Sequence, residues 1–553
     1  MLIHELLTQS AKKNPDQPAV VHQQKRMTYS RLNDVSVVFA QVLRAKNVKN
    51  GGRVALFLDN SCEYVAAYFA VLRCGAAVVP LNSQYVAREL AVILADCTPG
   101  LIITDTKHLP IVKESLASIA MRMECLCVDE FFKNEDLSSS RLSSVVSRPS
   151  VSAPSSVDPC SLEPVACSIF PRPSSVACRP SVSDPSSIGL CGLQPVACSD
   201  TALALIIYTS GTTGKPKGVM LSHANVTANA QSIVAYLKLT EQDRTMVVLP
   251  FYYSYGHSLL TTHVLTGSTM VLDNRFIFPN TVLDAMRDQS VTGFAGVPSH
   301  FAILLNKSAL AQYSLPSLRY VTQAGGAMPP ALIERFTAMF PAVKFYVMYG
   351  QTEAAARLSY LEPEDLPRKR GSIGKAIPGV ELCLRSESGQ PVAVGEVGEI
   401  VARGANVMIG YWNAPEETAR VVRDGSLFTG DLARQDEEGF FYIVSRKKDM
   451  IKSGANRISP LEIEEVVAQL AGVVESAAVG IPDEILGEAI ALFVVAAGAV
   501  TVPEIMRHCK QNLAAYKIPK RVEFIEQLPK TASGKVKREE LKEKLQAVRT
   551  DGR

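Results

Sequence analysis

The chain has 553 residues, 47% of them hydrophobic, and its 57 basic and 54 acidic side chains leave a net charge of only +3. That length exceeds what one core fills, so two or more domains are expected. The near balance of charge supplies no long-range field for gathering DNA, RNA or an anionic membrane, which excludes nucleic acid as a default partner.

The first residues, MLIHELLTQSAKKNPDQ, lack a basic segment followed by an apolar run and read as an amphipathic helix ended by Asn14-Pro15. No secretion signal is expected, and a cytoplasmic location is. The most apolar stretch, Tyr64 to Leu81, is broken by Arg73 and Gly75, so it reads as a core helix running into a buried strand and not as a membrane span. Around it the short runs VALFLDN, AAVVPLN and GLIITD alternate with helical patterns, the rhythm of parallel strands with crossover helices.

From about Leu137 to Ser199 the composition turns to Ser, Pro, Val and Cys without helical or strand periodicity. RPSVSAPSSVDPCSLEPVACS, from Arg148, returns as RPSVSDPSSIGLCGLQPVACS from Arg179. Two proline-rich units are too few and too polar to stack as a solenoid, so the segment is expected to be an inserted, disordered surface loop. Cys160, Cys167, Cys178, Cys191 and Cys198 lie within it at spacings that match no zinc site. The remaining cysteines, Cys62, Cys74, Cys97, Cys125, Cys127, Cys383 and Cys509, sit among apolar neighbours and read as buried free thiols. Beyond the insertion the α/β rhythm resumes with ALALIIYTS, TMVVLPF, STMVLD, VTGFAGVP and KFYVMYG, so one body is interrupted and not two joined. From about Gly395 shorter, turn-rich runs predict a small antiparallel β-layer, and after the basic stretch SRKKDMIKSG a final α+β region of about a hundred residues has the size of a small domain.

Tyr208 to Gly218, YTSGTTGKPKG, follows an apolar run and concentrates hydroxyls, glycines and two lysines. Such a loop turns backbone N–H groups, hydroxyls and positive charge toward phosphate oxygens. A P-loop is excluded, because Thr209 stands at its first glycine and Pro216 at its Ser/Thr position.

This segment resembles the signature of the adenylate-forming (AMP-binding) superfamily, which includes acyl-CoA synthetases and nonribosomal-peptide adenylation domains. AGGAMP from Ala324, YGQTE from Tyr349, FTGD from Phe428, SRKKDMIKSGANRISPLEIE from Ser445 and LPKTASGKVKR from Leu528 follow in the family's order. The resemblance implies an α/β adenylate-forming fold. Residues 1–447 would form a large N-terminal domain of two α/β subdomains plus a β-layer, and 448–553 a small mobile α+β C-terminal domain. It implies that Thr209, Ser210, Gly211, Thr212, Thr213 and Gly214 wrap the β- and γ-phosphates of ATP, assisted by Lys217. Tyr349 would stack on adenine beside Gly325, Gly326 and Ala327, Thr352 would bond the α-phosphate, and Glu353 would hold Mg²⁺. Asp431 would accept both ribose hydroxyls, with Arg446 nearby. Lys535 would bridge the attacking carboxylate and the α-phosphate as the catalytic residue. Lys448 would be the hinge about which the small domain turns, bringing up Lys452 and Gly454 for the thiol. Ser445 stands where the family more often has glycine, which touches hinge geometry and not the chemistry.

For the acid, Tyr253 stands where many acyl-CoA synthetases have histidine and would gate the acyl tunnel, while His257 would sit in the pocket wall or core. Gly350 and Gln351 would complete the pocket, Gly350 by giving it depth. No acidic residue occurs from Leu249 through Leu272, so the acid is expected to lack an α-amino group, whose buried charge would be unpaired. The expected reaction is ATP-dependent formation of an acyl-adenylate, then of a thioester with coenzyme A. The alternatives are an acyl-AMP ligase loading a separate acyl carrier protein and an inactive acyl-nucleotide sensor; Lys535, Glu353 and Asp431 argue against the latter.

Overall fold

The apolar runs fold as strands in two large sheets. In this computed structural model the described residues are 1–132, 198–209, 216–447, 449–453, 456–483, 485–531 and 535–550. Most of the repeat insertion, residues 210–215 of the phosphate-loop segment, Lys448 and Gly454 lie outside them.

The first sheet has seven strands in the order Gly410–Tyr411, Lys217–Ser222, Leu203–Thr209, Ala77–Pro80, Arg53–Phe57, Leu101–Thr104 and Glu124–Cys127. Leu203–Thr209, which follows the insertion, pairs parallel to Ala77–Pro80, which precedes it, so a single sheet is built from both sides of the interruption. The second sheet has nine strands: Lys375–Ala376, Ser359–Leu361, Lys344–Tyr349, Tyr320–Gln323, Gly293–Gly296, Arg244–Val247, Thr269–Leu272, Pro18–His22 and Lys25–Thr28. Its central pairs are parallel, and Pro18–His22 crosses over to join Thr269–Leu272.

Helices cover these sheets as their apolar faces require. Ile3–Lys13 buries Ile3, Leu6, Leu7 and Ser10 and ends at Asn14. Cys62–Arg73 starts at Ser61, whose Oγ accepts from the N–H of Tyr64, and is buried along nearly its whole length before the chain turns into Ala77–Pro80. Among the described residues no helix is long and apolar enough to cross a membrane.

The β-layer starts earlier than expected: Val380–Arg385 already pairs antiparallel with Val397–Gly404, which pairs with Ser426–Gln435, and Phe441–Arg446 joins the other side. Polar residues at alternate positions had hidden its first strand. The same alternation exposes Cys383 on that strand, which corrects its reading as a buried thiol. Cys62, Cys74, Cys97 and Cys509 are buried, and Cys125 and Cys127 are only half-buried.

A last five-stranded sheet is built on the long hairpin Val473–Asp483 and Gly487–Ala496, with Ile451–Ser453, Asn456–Ile458 and Arg521–Phe524 at its edges. Strand alternation splits its core in two. Ile490, Leu492 and Val494 face the helices Pro460–Val467 and Val502–Asn512, whereas Ala491, Phe493 and Val495 face the helix Arg538–Thr550.

Candidate active site

The C-terminal ends of the parallel strands Tyr320–Gln323 and Lys344–Tyr349, the β-layer and the small sheet enclose a cavity of about 1810 Å³. Ligands of open α/β sheets bind outside the carboxyl ends of strands, and here those ends carry Gly325 to Ala327 and Tyr349 to Glu353. Thr209, Lys217, Asp431, Arg446 and Lys535 line the same space. Residues far apart in the chain thus converge on one cavity.

Asp431 is only 4% exposed. Tyr349 Oη donates to its Oδ2 at 2.7 Å, and Arg446 Nε lies 2.9 Å from its Oδ1. Asp431 and Arg446 are direct partners across two antiparallel strands, which fixes that ion pair, and the carboxylate holds the guanidinium pKa above its ordinary value. The 3₁₀ turn Thr352–Ala354 presents Thr352, whose Oγ1 is 3.1 Å from Ser254 Oγ, and Glu353, whose Oε1 accepts from Tyr411 Oη at 2.8 Å. Lys217 is ion-paired with Glu417 and lies 5.3 Å over the Tyr411 ring. Lys535 closes a tight loop: its N–H donates to Thr531 Oγ1 at 3.1 Å and its carbonyl accepts from the N–H of Thr531 at 2.7 Å. Beside it Lys530 pairs with Glu475, and burial together with the Lys530 charge lowers His300 to about 4.

This donor set fits a magnesium nucleotide. Each oxygen of Asp431 keeps a second lone pair for a ribose hydroxyl, Glu353 keeps Oε2 for a hard cation, and Lys217, Arg446 and Lys535 supply positive charge for phosphates.

Other expected site residues lie elsewhere. His257 is 2% exposed and does not line the cavity; its Nε2 is 2.8 Å from Tyr68 Oη, and burial lowers it to about 3. It is a neutral core imidazole, which is the core alternative of the two expected for it. Tyr253 precedes the helix Ser254–Thr266, packs edge-on against Tyr252 at 4.7 Å and also stays off the cavity wall. Gly350 lines the cavity, but for a backbone reason instead of pocket depth: a Cβ there would lie 2.0 Å from the carbonyl oxygen of Ala356. Lys452 is exposed on Ile451–Ser453, away from the cavity, and its N–H donates to Glu488 Oε2 at 2.6 Å. Ser210, Gly211, Thr212, Thr213, Gly214, Lys448 and Gly454 fall outside the described residues. Sequence reasoning missed Tyr411, Glu417 and Ser254, which orient Glu353, Lys217 and Thr352; the only signal was the aromatic pair of GYWN after the β-layer strands.

Residues 7–412 match the family model for AMP-binding enzyme, and residues 462–535 match that for the AMP-binding enzyme C-terminal domain. The chain belongs to the AMP-binding enzyme family. Similar relatives include a long-chain-fatty-acid–CoA ligase of Yersinia pestis, 34% identical over 99% of this chain and 95% of that one. A feruloyl-CoA synthase of Amycolatopsis sp is 33% identical over 97% of each chain. The solved structure of o-succinylbenzoate coenzyme A synthetase from Bacillus subtilis in complex with ATP and magnesium ion aligns with a TM-score of 0.78 at 29% identity, covering 97% of this chain and 99% of that one. This AMP-binding enzyme has the large N-terminal α/β region, β-layer and small C-terminal α+β sheet of its structural neighbours.

Proposed function

We propose that this enzyme activates a carboxylic acid with ATP as an acyl-adenylate and transfers the acyl group to coenzyme A, releasing pyrophosphate and AMP. The observation that carries this reading is the convergence of Lys535 with Tyr349, Thr352, Glu353, Asp431 and Arg446 on one cavity. Asp431 receives the ribose hydroxyls, Tyr349 offers its ring to the adenine, and Thr352 donates to the α-phosphate. Glu353 would hold Mg²⁺, which would supply positive charge to the phosphates. Thr209 and Lys217 stand on the side of the leaving pyrophosphate. As the acid's carboxylate attacks the α-phosphorus, two anions approach each other, and the Lys535 ammonium stabilises that arrangement electrostatically.

The second half-reaction needs a different face. Lys452 lies away from the cavity, so residues 448–553 turn as a domain about Lys448 relative to 1–447, withdrawing Lys535 and presenting Lys452 and Gly454 to the thiol. Coenzyme A is the acceptor favoured by the names of the relatives, while a carrier-protein thiol is the competing acceptor.

The test is acid-dependent AMP release across fatty, aryl and amino acids, with and without coenzyme A, for wild type and Lys535→Ala. One acid class is expected to give AMP and acyl-CoA. The variant is expected to lose about 10²–10³-fold in adenylation, the scale of one electrostatic stabiliser, while still converting pre-made acyl-adenylate to thioester. Acyl-AMP accumulation without transfer to coenzyme A would assign a carrier protein, and silence with every acid would overturn the reading.

A further inference from the structure

Two basic side chains are buried among the described residues, Lys369 and Arg357. Lys369 is neutralised, with its Nζ 2.7 Å from Asp436 and 2.6 Å from Glu438. Arg357 is 3% exposed and has no carboxylate within ion-pair distance among the described residues. Its Nη1 donates to the carbonyl oxygen of Ala356 at 3.2 Å and its Nε to Met348 Sδ at 3.3 Å, while the guanidinium lies 4.1 Å over the Tyr255 ring and beside the Tyr236 phenol. One carbonyl, one thioether, the hydrogen-bonded Tyr236 phenol and a π-face bring no negative charge, so the charge of the guanidinium is uncompensated. Burying a charge on those terms is costly, and an apolar residue would serve the fold better.

The position of that charge indicates a use for it. Met348, which touches the guanidinium, and Gly350, whose Cβ position lies 2.7 Å from Arg357 Cα, both line the cavity. Tyr255 directly follows Ser254, which is bonded to Thr352, and Tyr255 Oη donates to Thr322, next to cavity-lining Gln323. The guanidinium does not itself line the cavity but is enclosed by segments whose neighbouring residues form its inner wall, close to Thr352.

We propose that Arg357 is a specificity-determining residue of the acid site, and that the acid it selects carries a second carboxylate that ion-pairs with the guanidinium past Gly350 and Met348. This rests on the acid-activating reading above. The bound dicarboxylate supplies the counter-charge that the fold withholds, and a plain alkyl tail would leave the guanidinium unpaired.

The experiment measures pyrophosphate release by the full chain with ATP, Mg²⁺ and coenzyme A. It uses alkyl monocarboxylic acids, dicarboxylic acids and their monomethyl esters at matched chain lengths, for wild type, Arg357→Met and Arg357→Lys. Wild type is expected to favour a dicarboxylate over its alkyl and ester matches by about 100-fold or more in kcat/KM, chiefly through KM. Arg357→Met should bring that ratio to about 1 or reverse it, Arg357→Lys should keep part of it, and the melting temperature of Arg357→Met should be equal or higher. The ratio is internal to each preparation, so partial misfolding does not move it. Turnover of alkyl acids or esters as good as that of dicarboxylates, or the same ratio in Arg357→Met, overturns the role of Arg357 and leaves acid activation standing. Silence with every acid overturns both.

Discussion

Asp431 is oriented by its own chain, with a phenol on one carboxylate oxygen and a guanidinium on the other. Asp431→Asn keeps the shape and removes the charge, so the ribose hydroxyls lose charge-assisted bonds of about 1.5–3 kcal/mol each. The expected result is a KM for ATP raised about 10–100-fold with a smaller change in kcat; an unchanged KM would mean that the ribose is held elsewhere. Gly350→Ala acts through the backbone: its new Cβ must displace the Ala356 carbonyl, 2.0 Å away, together with the chain leading to Arg357. Acid kcat/KM is expected to fall by about 100-fold, as misplacement near a reacting centre does, while ATP-dependent thermal stabilisation persists. Wild-type kinetics would show that the chain behind Gly350 yields. Tyr349, Thr352, Glu353 and Asp431 were legible because each stands in a short run of fixed composition. Tyr411, Glu417 and Ser254 were not, because their work is done on a neighbour distant in sequence, and nothing local marks it.

The N-terminal helix shows what periodicity can and cannot deliver at the scale of an element. Its apolar positions and Asn14 end predicted the helix, and its buried residues join the largest core, with Ser10 Oγ donating to the Val264 carbonyl at 2.6 Å. Leu7 is fully buried, so Leu7→Ala should cost about 2–5 kcal/mol by leaving a cavity. Urea unfolding followed by emission from the single tryptophan checks this; a loss below about 1 kcal/mol would mean that the helix is not part of the cooperative body. Apolar runs such as ALALIIYTS and KFYVMYG marked strands reliably because both faces of these sheets are covered. Val380–Arg385 escaped because its exposed positions carry polar residues and its buried ones give too few signals. Sheet order, and the crossing of Pro18–His22 into the second sheet, could not be read at all, since pairing between remote strands leaves no local trace.

At the scale of the whole molecule the histidines are unevenly placed. Burial lowers His4, His223, His263 and His300 to about 4 and His257 to about 3, with Arg73 adding to the effect at His4 and Lys530 at His300. All five belong to the large N-terminal region. A histidine whose folded pKa is depressed is neutral in the native state while the unfolded chain protonates near 6.5. Its contribution is therefore complete above about pH 6.5 and is lost as the pH falls toward 4, with each group costing up to about 1.4 kcal/mol per pH unit in that window. Five together remove several kcal/mol by about pH 5, a large part of a domain's 5–15 kcal/mol. Carboxylates held down by partners, such as Asp483 at about 2, lose their share only at lower pH. Trp412 reports on this region, with its indole N–H donating to the Asp96 carbonyl at 3.1 Å and the Arg53 guanidinium 4.7 Å over its ring. Melting followed by Trp412 emission is expected to fall steeply in temperature between about pH 6.5 and 4.5, and His257→Gln should flatten that fall while costing some stability at neutral pH. Far-ultraviolet circular dichroism should retain the small C-terminal sheet after Trp412 has been released. A melting temperature unchanged from about pH 7.5 to 5 would show that water reaches these imidazoles in the folded state, and the acid sensitivity of the large region would then have to come from its carboxylates.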